Sequence, residues 1–204
     1  MIHDSTDKAE QSPGVCLGSY GWQHAHWDGV FYPDDLPEDW QLAYYSNEFS
    51  AVLVPRSYWE TGTGFDVESW QEDVSDDFRF YIEWPFNHAE GEDASLCLEQ
   101  CQGLGRLFGG IVVNQDFELI TDLPVYYTGY QRGSLLQQVW TAEHHTQSGV
   151  AFLKLTGADL RTQRKWLEQF AESTGSLRCI LLSDAAIEID SLRNMKTLIE
   201  LLGL

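Results

Sequence analysis

The sequence contains no apolar run near 18 residues, which excludes a transmembrane helix of ordinary length. Its first 13 residues lack the apolar segment of a secretory signal, so a cytoplasmic protein is expected. Cysteine is scarce. Cys16, Cys97, Cys101 and Cys179 include no Cys-x-x-Cys pair and are too few to staple 204 residues together. Reduced thiols are therefore expected, with Cys97 and Cys101 on one face of a helix. Positive charge is in short supply: 12 Lys and Arg stand against 32 Asp and Glu, a formal net charge of −20. A nucleic-acid backbone or an anionic membrane surface asks for the opposite balance, so neither is expected as a partner. The acidic residues are spread over 34–39, 66–77, 90–93 and 184–190 without a block of five. Such diffuse charge serves solubility, and docking to a basic protein partner is its functional alternative. There is no Gly-x-Gly-x-x-Gly, no P-loop, no His-Glu-x-x-His and no Gly-x-Ser-x-Gly.

What remains is an ordinary globular composition, 43% hydrophobic and 22% charged. Residues 1–13 read as a polar tail and 14–204 as a single domain. Short apolar runs at 15–18, 51–54, 78–82, 111–113, 150–155 and 179–182 predict buried strands. Amphipathic stretches at 38–49, 67–74, 94–108, 134–144, 161–173 and 191–202 predict helices between them. Gly109-Gly110 reads as a helix stop, and 114–130 is ambiguous, with 117–120 and 125–127 each compatible with a short strand. Alternating strands and helices predict an α/β fold with a parallel sheet covered by helices.

The stretch Gly18-Ser19-Tyr20-Gly21-Trp22, followed by Trp27-Asp28-Gly29-Val30-Phe31-Tyr32-Pro33, resembles the opening of the YecE-like family (domain of unknown function 72). The similarity continues through Trp40–Phe49, the strand at Val52 and the Asp76-Asp77-Phe78-Arg79-Phe80 run, and more weakly over 150–204. The resemblance implies a TIM-like (β/α) barrel and carries no reaction with it. Three departures stand out. Leu53 and Pro55 occupy the places of the family's Glu and Asn in strand two, and Glu83 that of a Lys in strand three. Residues 14–204 leave about 24 residues for each of eight βα units, against roughly 250 residues for a typical barrel. A barrel shortened or incomplete in its middle third, over 89–149, is predicted.

Barrel enzymes and binders work at the C-terminal ends of their strands. Those ends supply Trp22, His24, His26, Trp27, Arg56, Tyr58, Trp59, Glu83, Trp84, His88, Asn114, Gln115, Lys154, Thr156, Ser183 and Asp184. Glu83, His88 and Asp184 are the candidates for acid–base chemistry. Trp22, His26, Arg56, Tyr58, Trp59, Trp84 and Lys154 are the candidates for holding a ligand: aromatic faces for a ring, Arg56 for an anion. His24-Ala25-His26 raises a shared metal ion as a possibility, with loop packing as the plainer reading. No metal or other cofactor is assigned. Loss of the family's polar residues favours a divergent, non-catalytic module binding a small molecule or a protein. An enzyme acting as a hydrolase or on a phosphate ester, with its site at the barrel mouth, is the alternative.

Overall fold

The computed structural model describes residues 14–60, 65–128, 139–143, 145–173 and 179–204. Seven parallel strands run through them: β1 Cys16–Tyr20, β2 Ala51–Val54, β3 Arg79–Glu83, β4 Phe108–Val113, β5 Val125–Tyr127, β6 Val150–Leu153 and β7 Cys179–Leu182. Their order in the sheet is β5-β4-β3-β2-β1-β7-β6. The two outer strands are joined by two residues. Val139 N–H donates to the Tyr127 carbonyl at 3.0 Å, Trp140 N–H to the Val150 carbonyl at 2.9 Å, and Phe152 N–H to the Trp140 carbonyl at 2.8 Å. Val139-Trp140 is thus an eighth, two-residue stave, and the sheet is a nearly closed barrel.

Side chains alternate in and out along each strand, as the period of two requires. Leu53, Tyr81, Val112, Tyr126, Val139, Phe152 and Leu181 fill the interior. Their neighbours Val52, Phe80, Ile82, Trp140, Leu153 and Leu182 face outward, under the helices. Those helices are α1 Gln41–Ser46, α2 Ser57–Glu60, α3 Val67–Asp73, α4 Glu92–Gly103, α5 Leu160–Ser173 and α6 Ile189–Leu202. The outer layer is rich in aromatics. Trp70 of α3 stacks on Phe80 at 5.1 Å, Trp22 meets Trp70 edge-on at 5.5 Å, and Trp27 lies parallel to Tyr45 at 6.2 Å.

Glycine decides how closely the strands approach. A Cβ on Gly18 of β1 would lie 2.0 Å from the Ala51 carbonyl oxygen of β2. Gly109 and Gly110 do not stop a helix. They lie inside β4, where the Tyr81 and Tyr126 rings occupy the space a side chain would need. Helix α4 ends earlier, at Gly103, and the chain turns through Gly105 at φ 56°.

The middle third is the irregular part. No helix follows β4, and residues 114–124 pass directly to β5. Residues 117–120 are not a strand: Leu119 is pinned by its N–H to the Tyr127 hydroxyl at 2.9 Å, and Ile120 is exposed. The helix expected at 134–144 falls partly outside the described residues. Its described part is not helical, because Val139 and Trp140 are held in the barrel wall by the hydrogen bonds above. The predicted tail at 1–13 also lies outside the described residues. No helix among the described residues is long and apolar enough to cross a membrane.

Candidate functional site

The inward parity that fills the barrel with apolar side chains continues past the strand ends and delivers polar ones to its mouth. Glu83 follows Tyr81 by two residues, Asn114 follows Val112, Thr128 follows Tyr126, Lys154 follows Phe152, and Ser183 follows Leu181. All five line a cavity of about 840 Å³ at the C-terminal ends of the strands. Leu53, Val112 and Phe152 supply apolar surface to it. Thr156 and Gly157, with Thr162 and Trp166 of α5, form one side, and Thr141 and Glu143 another. A cleft of this size with few polar groups on an apolar floor is the usual form of a small-molecule site.

Glu83 is the buried charge of this cavity, only 8% exposed. Three donors fix it. The Tyr20 hydroxyl donates to Oε2 at 2.6 Å, the Arg56 backbone N–H to Oε2 at 3.0 Å, and the Asn114 amide to Oε1 at 2.9 Å. These donors come from β1, the turn after β2 and the end of β4, so the carboxylate is oriented by three separate staves. Hydrogen bonds to the ionised form offset the desolvation that burial imposes.

The other candidate residues are distributed more widely. Lys154 lines the cavity with Glu83. Asp184 is turned into the wall: Oδ2 accepts the Leu155 N–H and Oδ1 the Thr156 hydroxyl, both at 2.8 Å, tying the loop after β6 to the loop after β7. His88 is exposed, stacked on Phe86 at 5.4 Å, outside the cavity lining. Trp84 is fully buried under the helices and donates its indole N–H to the His88 carbonyl. Trp22, Tyr58 and Trp59 pack in the outer aromatic layer, against Trp70 or Phe65 and Phe86. Arg56 reaches Glu83 through its main chain, and its side chain is not among the lining groups.

His26 and Trp27 both donate to the Ile187 carbonyl at 2.9 Å, which fastens the loop after β1 to the segment before α6. Burial and the neighbouring His26 push the His24 imidazole below its ordinary pKa, and its Nε2 is buried without a partner among the described residues. The two rings lie 5.4 Å apart. Among the described residues no three His, Cys, Asp or Glu side chains are grouped so as to hold a metal ion.

Sequence reasoning passed over Tyr20, Thr128, Glu143, Thr162 and Trp166. For Tyr20 the signal existed. It stands two residues beyond Gly18, so extending strand one to Tyr20 places it on the inner face.

A parallel α/β barrel with a polar cavity at the C-terminal mouth defines a TIM-like protein. Residues 16–90 match the family described as Protein of unknown function DUF72. Its fold is similar to that of a DUF72 family protein from Thermotoga maritima MSB8, with 14% identity and a TM-score of 0.63 over 91% of this chain and 99% of that one. It is similar also to a DUF72 family protein from Enterococcus faecalis V583, with 12% identity and a TM-score of 0.59 over 94% and 98% of the two chains. No curated protein matches the sequence.

Proposed function

We propose that this barrel binds a small polar molecule in the mouth cavity, with Glu83 as the anchoring group, and that it does so without catalysing a reaction. The observation that supports this reading is the buried, three-point-held Glu83 carboxylate beside about 840 Å³ of open space. A charge kept in a desolvated, pre-oriented position suits recognition, because its ordering is complete before the ligand arrives.

Binding is favoured over catalysis by the surroundings of the carboxylates. Neither of the other two candidate acid–base residues joins Glu83 in the cavity. His88 lies outside the cavity lining, and both Asp184 oxygens are occupied by the wall. A phosphate ester is a poor fit, since among the described residues Lys154 is the lone cationic side chain lining the cavity, against Glu83 and Glu143.

The experiment is a thermal-shift and calorimetric screen of sugars, amino acids, organic acids and nucleosides against the wild-type chain and Glu83→Gln. At least one class is expected to raise the melting temperature of the wild type by a few degrees and to lose most of that effect in Glu83→Gln. Equal shifts in the two proteins would remove Glu83 from the site. Turnover of a bound compound, abolished by Glu83→Gln, would overturn the non-catalytic part of the reading.

A further inference from the structure

Glu83 and Lys154 carry opposite charges into one cavity without meeting. The ring runs β1, β2, β3, β4, β5, Val139-Trp140, β6, β7, so Glu83 closes the third stave and Lys154 extends the seventh. Four steps apart in a ring of eight, they stand on opposite walls of the mouth. Both follow the inward parity of their strands, after Tyr81 and Phe152. Among the described residues no ion pair joins them, and none joins either to another charged group. The donors that hold Glu83 are a phenol, an amide and a backbone N–H, all neutral, so they fix its orientation and offset its desolvation without supplying an opposite charge.

A buried carboxylate held by neutral donors alone still attracts an opposite charge, and the natural counterpart of this one is a ligand cation. The same holds in weaker form for the Lys154 ammonium, which is solvated at the rim. The chain's net charge of −20 attracts cations and repels polyanions.

Resting on the reading that the cavity is a ligand site, we infer that its ligand is a small dipolar organic ion of the amino-acid class. Its ammonium group faces Glu83 and its carboxylate faces Lys154. The apolar surface of Leu53, Val112 and Phe152 carries the body of the ligand between the two charges. The two wall charges then fix the ligand's direction as well as its class, because reversing it places like charges together.

The test uses the twenty common amino acids and 6-aminohexanoate, and for the best binder its amine-only and carboxylate-only counterparts, measured calorimetrically on the full chain. The zwitterion is expected to bind at least about tenfold tighter than either counterpart. Lys154→Met, at an exposed position that the fold tolerates, is expected to weaken the zwitterion about tenfold and to leave the amine counterpart within about twofold. Circular dichroism of the variant checks the fold. The inference is overturned if a counterpart matches the zwitterion, if Lys154→Met leaves zwitterion binding unchanged, or if no zwitterion binds at about 10 mM, a limit set by millimolar affinity. Neutral sugars run alongside separate the two readings. Sugar binding that depends on Glu83, without zwitterion binding, overturns this inference alone; absence of binding in every panel overturns both.

Discussion

Glu48 receives a two-pronged contact from Arg193: Nε to Oε1 at 2.7 Å and an Nη to Oε2 at 3.0 Å, joining α6 to the turn after α1. The guanidinium holds the Glu48 carboxyl below its ordinary pKa. Because the folded value is depressed, the contact stabilises the fold above the unfolded carboxylate pKa. That contribution fades as pH falls through the folded value. Both groups are partly solvated, so Glu48→Gln should lose no more than about 0.5–1 kcal/mol at pH 7. In urea titrations the gap between wild type and variant should narrow as pH falls below the usual carboxylate range. The thiols give a second expectation at this scale. Cys97, Cys101 and Cys179 are buried, and burial pushes the Cys179 thiol well up, while the Cys97 contact leads burial in raising Cys101. A thiol reagent at about pH 8, near the free-cysteine value, should leave these three unmodified until denaturant is added.

Strand β1 depends on one residue with no side chain. Gly18→Ala places a methyl group 2.0 Å from a backbone oxygen of β2, which neither strand can yield without losing their pairing. A loss of several kcal/mol is expected, seen as a collapse of the urea midpoint. Trp70→Ala, which empties the space over Phe80, should cost about 3–5 kcal/mol by the same measurement. The elements most legible in the sequence are those buried on both faces. Ala51–Val54 and Cys179–Leu182 are unbroken apolar runs, and they are strands. Val139-Trp140 is two residues long and is held from both sides by other strands, so no local pattern announces it. The same parity explains the site. Glu83 and Lys154 were visible as polar residues just past apolar runs. Trp84, next to Glu83, necessarily points the other way, and the tryptophans expected at the rim make the outer layer instead.

At the scale of the molecule, the irregular middle third borders the cavity on one side. The absence of a helix after β4 and the two-residue stave leave the described wall, residues 114–128 and 139–143, built of loop and strand ends. Those loops line the cavity beside Thr128 and Thr141, whereas the opposite wall keeps the regular strand–helix alternation that matches DUF72. The chain thus retains the scaffold where the family resemblance is strongest. It carries Leu53 and Glu83 where the resemblance leads one to expect a carboxylate and a lysine.

The most direct test of the cavity as the ligand site is a titration of the isotope-labelled chain, followed by amide NMR, with the strongest compound from the thermal-shift screen. The Arg56 backbone N–H and the Asn114 side-chain amide both donate to Glu83 and report on it. These two signals, with those of Thr128 and Ser183, are expected to move together along one saturable binding curve. Saturable shifts confined to the exposed surface around Trp40 and Tyr44, with Arg56 and Asn114 unmoved, would contradict the assignment of this cavity.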